Sequence, residues 1–243
     1  IGLVGSEMCI RDRNGSTAFA VYGYMNRGAH EGEVGVDIYY YDIEKNVVQE
    51  KAFIPSTKSF AIAEEELGKM VYYNQDQNLL YILAGGKFYK IDLTKDEQTV
   101  LAKNLEEGQY TVSADGHLIA YQTSGTINTA QEIKVLNLKT DEENAVAAKS
   151  GEAIRPLGFI GSDFVYGYLR QEDVGHTAAG GELFPMYELE IRNSENEVMK
   201  TYSADQIYIS DVFIEENMMT LNRVVKSGET YTVTSQDYIC LLY

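Results

Sequence analysis

SADGHLIAYQT, Ser113–Thr123, followed by EIKVLNLK, Glu132–Lys139, decides the fold. The first string writes a tight turn ahead of a strand. Asp115 carries a short polar side chain that can bond its own backbone, and Gly116 supplies positive φ. HLIAYQT is then a short apolar and aromatic run, the composition of a pleated, half-buried strand. EIKVLNLK alternates apolar with polar, the period of a strand with one buried face. Upstream, Gln109–Val112 predicts a short strand. Downstream, TDEEN at 140–144 predicts a turn, and Ala145–Ala148 begins a further strand. The stretch from about Gly108 to Ser150 therefore reads as one antiparallel unit of four consecutive strands.

The same order recurs on both sides. KMVYYN at 69–74 precedes the turn QDQN. Leu79–Leu83 and KFYKIDLT at 87–94 form a hairpin across Ala84-Gly85-Gly86, and Thr99–Ala102 marks a fourth strand. Later come Leu157–Ile160, FVYGYL at 164–169, MYELEI at 186–191 and Val198–Tyr202. A first unit carries FAVYGY at 19–24, VDIYYYDI at 36–43 and Val47–Phe53. A last one, Ile207–Ile239, has about three strands. The third strands end at Ile43, Leu93, Leu138 and Asn193, at intervals of 50, 45 and 55 residues. Four-stranded modules with such a period mark propeller blades, each burying its faces against its neighbours. The expected fold class is all-β: a β-propeller fragment of four-stranded antiparallel blades, about three full and two partial, with an incomplete ring. The blades fall near 17–55, 69–104, 108–150, 155–203 and 207–239. A β-sandwich is the alternative. Ser56–Gly68, containing SFAIAEEEL, lies outside this grammar and reads as a helical turn or a long connection between blades.

The unit SADGHLIAYQT…EIKVLNLKT resembles a blade of the TolB-like and dipeptidyl-peptidase-like propellers. Their blades carry a Ser-Pro-Asp-Gly turn, a strand such as IAY, and then IYVLDL. Here Ser113, Asp115 and Gly116 match the turn, and Ala114 stands where the proline would be. The other units match in strand layout alone. The resemblance implies a fold and leaves the activity open, because propellers host many unrelated functions.

VGSEMCIRDR at 4–13 and CLLY at 240–243 resemble translated sequencing adapter. CLLY is encoded by TGT CTC TTA TAC, whose reverse complement, GTA TAA GAG ACA, lies inside the stretch encoding Met8–Arg13. One duplex read in opposite directions accounts for both strings. The expectation is that residues 1–13 and 240–243 are adapter-derived, that 14–239 is the propeller insert, and that neither natural terminus is visible. Both cysteines, Cys9 and Cys240, fall in those end segments, so no disulfide, CxxC metal site or cysteine nucleophile is expected of the insert.

The formal charge of −17 repels phosphate backbones, so no nucleic-acid partner is expected. No apolar run reaches the roughly 18 residues of a spanning helix, so no membrane insertion is expected within the chain. An extracytoplasmic setting, in the cell envelope or secreted, is favoured for the parent protein.

Two units depart from the short pattern at one place. VYGY at 21–24 is followed by MNRGAHEGEVG, and VYGY at 165–168 by LRQEDVGHTAAGGELFP, in each case between the second and third strands. Loops on one side of a repeat array often form its binding surface, although both could be plain variable loops. The candidate binding-face residues are Asn26, Arg27, His30, Glu31, Glu33, Arg170, Glu172, Asp173, His176 and Glu182. His30 and His176 stand near carboxylates, yet no HxH or HExxH spacing exists. They read as solvated loop histidines and no metal is expected, just as His117 reads as an exposed turn residue. Tyr39-Tyr40-Tyr41 and Tyr72-Tyr73 alternate across a sheet, so packing explains them better than sugar stacking.

No catalytic set is expected. GxSxG, DxDxDG and GxGxxG are absent, and Asp211 is the one clear acid in an expected innermost strand, where a propeller glycosidase needs two. The expected function is a noncatalytic propeller segment of a bacterial envelope or secreted protein, without a cofactor. It binds a protein or peptide partner through loops on one face and packs against the remaining blades of its own chain. The alternatives are the accessory propeller of a peptidase-like hydrolase and, third, a propeller glycosidase.

Overall fold

The structure is a computed structural model that describes residues 7–11 and 17–241. The chain divides between Asn104 and Leu105 into two compact units. In the first unit, β1 (Glu7–Arg11), β2 (Thr17–Tyr24), β3 (Val34–Asp42) and β4 (Val47–Pro55) make one antiparallel sheet in chain order. Helix α1 (Phe60–Lys69) leads to a second sheet of β5 (Val71–Asn74), β6 (Leu79–Ala84), β7 (Lys87–Asp92) and β8 (Glu97–Ala102). Residues 7–11, expected to lie outside the insert, run along β2 from Glu7 opposite Val21 to Arg11 opposite Thr17. The other parts of the expected end segments, 1–6, 12–13 and 242–243, lie outside the described residues.

Apolar alternation explains how these two sheets meet. Val36, Ile38 and Ile54 of the first sheet share a core with Leu80, Ile82 and Ile91 of the second, and α1 adds Ala63 and Leu67. Each of these sheets turns an apolar face to the other, and burial against the neighbour removes that face from water. Ser56–Gly68 thus holds most of a true helix, rich in Ala and Glu, which are strong helix formers. Lys69, expected to open the next strand, closes this helix instead. Its ammonium pairs with Glu65 one turn earlier, at 2.9 Å. The Gly85-Gly86 hairpin is a two-residue turn with φ of 61° and 69°, the left-handed pair that matches strand twist.

In the second unit, β9 (Tyr110–Val112), β10 (Leu118–Gln122), β11 (Glu132–Asn137) and β12 (Glu142–Ala147) form the third sheet. A fourth sheet starts with β13 (Glu152–Ile160) and β14 (Asp163–Arg170). After it come two short strands, β15 (Gly175–Thr177) and β16 (Glu182–Leu183), and then β17 (Met186–Arg192) and β18 (Val198–Ser203) complete the fourth sheet. The last sheet pairs β19 (Ile207–Glu215) with β20 (Met218–Ser227). Along the other edge of β20 lie β21 (Thr230–Val233) and β22 (Asp237–Cys240). A bridge from Met186 to Ile209 joins the fourth sheet to the last. Ile133 and Val146 of the third sheet pack on Phe164 and Tyr166 of the fourth, and Leu189 and Ile191 of the fourth share a core with Met219 and Leu221 of the last. The fold is all-β, made of four-stranded antiparallel sheets of the propeller-blade kind. No helix among the described residues is long and apolar enough to cross a membrane.

The repeat has a physical signature at the turns from third to fourth strands. Asp42 Oδ1 accepts the N–H groups of Glu44 and Lys45, both at 3.1 Å. Asp92 Oδ1 accepts those of Thr94 and Lys95 at 3.0 Å, and Asn137 Oδ1 those of Lys139 and Thr140 at 3.0 and 3.2 Å. Each turn then closes through an Asn or Asp at positive φ: Asn46, Asp96, Asp141 and Asn196. These are residue types that tolerate the left-handed region. In the fourth sheet Arg192 occupies the capping place, so the next residue, Asn193, accepts Glu197 N–H at 2.8 Å. The tight closure at Asp141 also corrects the reading of TDEEN as a turn, since Glu142–Asn144 already belong to β12. In the SADG turn, Ser113 Oγ donates to Asp115 Oδ1 at 2.6 Å and accepts Leu118 N–H at 3.0 Å. The matched residues therefore hold the turn without the proline.

Candidate functional site

In the first unit the β2–β3 connection folds back on its own sheet. Met25 N–H donates to Glu33 O and Gly32 N–H to Met25 O, both at 2.8 Å, closing the loop at its base. His30 is not a solvated loop residue. Its ring stacks on Phe53 of β4 with centroids 4.0 Å apart, and its two nitrogens lie 3.6 Å from Glu33 and 3.3 Å from Glu50. Asn26, Arg27, Glu31 and Glu33 are exposed around it.

Beneath that loop lies a residue that sequence reasoning missed. Asp37 of β3 is only 2% exposed. The Tyr39 hydroxyl donates to its Oδ2, and its Oδ1 has no hydrogen-bond partner among the described residues. Burial pushes its pKa up, the Tyr39 bond opposes this, and Glu50 pushes the same way as burial. The only signal in the sequence was an acid inside the apolar run VDIYYY. Beside the loop, Glu33, Val34, Pro55, Ser56, Thr57, Lys58, Gly85 and Lys87 line an open groove of about 770 Å³. It runs from the β2–β3 connection to the β6–β7 hairpin, so it lies at the second-to-third-strand ends of both sheets.

In the second unit the β14–β17 connection is built into the next sheet. β15 pairs in parallel with β21, His176 opposite Thr230. Asp173 is 8% exposed; its Oδ1 accepts the Tyr208 hydroxyl at 2.9 Å and its carbonyl accepts that of Tyr231 at 2.6 Å. Lys226 donates to the Glu172 carbonyl at 3.1 Å. Arg170 is held by Glu152 at 3.0 Å and lies 3.6 Å over the Tyr187 ring. Of the residues expected to form the binding surface here, Arg170 and Asp173 hold the fold, whereas Glu172, His176 and Glu182 are exposed. No cluster of three or more His, Cys, Asp or Glu suited to a metal ion occurs among the described residues.

Arg155, on β13, escaped the sequence analysis because an arginine at the start of an apolar strand carries no motif. Its Nη2 donates to Asn128 Oδ1, in the β10–β11 connection, and to Phe184 O, in the β14–β17 connection, the latter at 3.4 Å. Burial lowers its pKa, and the charge of Asp211 acts in the opposite direction. Asp211, the expected inner-strand acid, is itself exposed on β19. Opposite this end, a cavity of about 260 Å³ lies among the turns of the third and fourth sheets, between Asp115, Asn137, Phe164 and Asn196. Asn144 donates to Ser194 O and Asn196 to Ala145 O around it, which makes it a seam between sheets.

No protein-family model matches the chain, and no curated protein is similar to it in sequence. Among solved structures, it is similar to the β-propeller domain of the Trilobed protease from Pyrococcus furiosus, at 10% identity over 94% of this chain and 71% of that one, with a TM-score of 0.37. An oligogalacturonate lyase from Vibrio parahaemolyticus gives 10% identity, 94% and 68% coverage and a TM-score of 0.38. The tricorn protease gives 12% identity over 87% of this chain, which spans 23% of that protein, and a TM-score of 0.38. Likeness at this level adds nothing to the strand pairing itself.

Proposed function

We propose that this chain is a noncatalytic propeller segment that holds a protein or peptide partner along the ends where second strands cross to third. The observation that carries the reading is the groove of about 770 Å³ beside the folded β2–β3 connection, with Glu33, Lys58 and Lys87 on its rim and Val34 and Pro55 in its wall. An extended peptide fits such a lining: apolar contact supplies area and a few charged groups fix register. The connection is closed at its base and stacked on Phe53, so the rim costs little ordering when a partner binds. An extracytoplasmic parent protein, of the bacterial envelope or secreted, accords with the TolB-like turn at Ser113–Gly116.

The test is a peptide-display selection against the full-length protein, followed by affinities for two variants. The first combines Arg27→Ala, Glu33→Ala and Lys87→Ala. The second combines Lys139→Ala and Ser194→Ala at the opposite ends of the strands. The selected peptides should bind the first variant at least about tenfold more weakly and the second unchanged. Equal affinity for wild type and the first variant would overturn the reading.

A further inference from the structure

The groove beside the folded β2–β3 connection carries a sign of charge opposite to that of the chain. The sequence has 37 acidic against 20 basic residues and a formal charge of −17. The groove lining has Glu33 as its one acid and both Lys58 and Lys87 as bases. That acid already meets a cation-capable group, since a Glu33 carboxylate oxygen lies 3.6 Å from His30 Nδ1. The two lysines reach the groove from different sheets and stand on pinned backbone. Ser56 N–H donates to Val34 O at 2.9 Å, Lys58 N–H to Ser56 Oγ at 3.2 Å, and the Tyr22 hydroxyl to Lys58 O at 2.6 Å. Lys87 pairs with Ala84 across the two-residue Gly85-Gly86 hairpin. Ser56 and Thr57 add hydroxyls to the same lining. All four of these side chains can donate a hydrogen bond, and the lysines can only donate.

We propose that the partner in this groove is an acidic segment, an extended peptide that sets Asp or Glu carboxylates against Lys58 and Lys87 and an apolar residue against Val34 and Pro55. The proposal rests on the reading of the groove as peptide-binding and gives that peptide its charge. A carboxylate only accepts, so it complements a lining that mostly donates, and its bonds to ammonium groups are charge-assisted. A Lys or Arg in the same place would face two like charges, which is how rim charges reject a wrong partner. The acidity of the rest of the chain does not prevent this. At physiological ionic strength the Debye length is about 8 Å, so distant acids are screened while pairs in contact within the groove persist.

The experiment uses the full-length protein and three arrays of octapeptides at physiological salt. The arrays are randomised over uncharged residues, except for two positions that hold Glu in the first, Gln in the second and Lys in the third. The best Glu peptides should bind about fivefold more tightly than their Gln counterparts, the scale of two exposed ion pairs, and the Lys peptides should bind most weakly. Lys58→Gln and Lys87→Gln should each remove part of that preference, and the double variant all of it. Lys58→Glu combined with Lys87→Glu should invert the order, so that the Lys peptides bind best. Both lysines are exposed, so these variants should fold, and an inverted preference is an outcome that misfolding cannot produce. Equal affinity for the three arrays, or a preference for Lys, overturns the acidic partner and leaves the peptide reading standing. A preference for Glu that survives the double Gln variant overturns it too, because the carboxylates would then be read elsewhere. Binding to none of the arrays sinks the peptide reading and the acidic partner with it.

Discussion

The Tyr208 hydroxyl donates to Asp173 Oδ1 across 2.9 Å, tying the β14–β17 connection to the first strand of the last sheet. The next residue pairs this pattern makes are β15 with β21, so the connection is held at both its start and its middle. Asp173→Ala leaves the Tyr208 hydroxyl without its acceptor and should cost about 1–3 kcal/mol, the range for an orphaned buried partner. Tyr208→Phe should cost less, about 1 kcal/mol. Urea unfolding measures both, and hydrogen exchange at Gly175–Thr177 should accelerate in each. Unchanged exchange there would show that the bond does not hold the connection.

Gly167 in the second VYGY string is a packing requirement. A Cβ at that position would lie 2.3 Å from Met186 Sδ and 3.0 Å from Leu189 Cδ2. Gly167→Ala should therefore destabilise by about 1–3 kcal/mol through overpacking. Met186→Ala makes room for that methyl, so the double variant should lose less than the two single losses together. Strict additivity in a double-mutant cycle would remove this account.

What the sequence made legible follows from what is periodic. The strand order of the second and third sheets could be read because turns and apolar alternation are local properties of the chain. The third-to-fourth-strand turns are local too, since Asp42, Asp92 and Asn137 cap backbone only two or three residues away, although TDEEN reads as too long a turn because Glu142–Asn144 already pair in β12. The site was less legible because its contacts are long-range. His30 meets Phe53 and Glu50 only once β4 lies beside β3. Asp173 looked like a loop acid because Tyr208, which buries it, is 35 residues distant. Arg155 meets Asn128 and Phe184, 27 and 29 residues away on either side, so nothing local to its strand announced those contacts.

The Asx caps predict an acid-sensitive component of stability. Burial pushes the Asp92 carboxyl up, but the N–H groups of Lys95 and Thr94 and the Lys95 ammonium outweigh it, and the net shift is downward from 3.8. A lowered folded-state pKa means a contribution that is present above the unfolded value and lost as pH falls through the folded one. Asp92→Ala should cost about 1 kcal/mol at neutral pH. Asp92→Asn keeps the cap, as Asn137 does in the next sheet, and should lose less while flattening the acid limb. Unfolding midpoints between pH 2 and pH 7 check this; identical acid limbs in wild type and Asp92→Asn would contradict it.

Asp37 predicts the opposite sign. Burial raises its carboxyl above 3.8, Glu50 adds to that, and the Tyr39 bond and His30 oppose it without winning. The folded state then binds this proton more tightly than the unfolded chain does. Its contribution is fully present below the unfolded pKa and is lost as pH rises through the folded one, after which an ionised carboxylate sits buried with Oδ1 unpartnered. Asp37→Asn keeps the shape and an acceptor for the Tyr39 hydroxyl but cannot ionise. The variant should therefore be more stable than wild type at pH 7–8, and the margin should shrink steadily toward pH 4 as the wild-type carboxyl takes up its proton. Chemical unfolding of both proteins across that range reads the difference directly, with Glu50→Gln and His30→Ala as companions that alter the two nearest charges. A margin that does not vary with pH would mean that Asp37 is neutral, or charged and solvated, throughout, and would remove the buried carboxylate from this face of the first sheet.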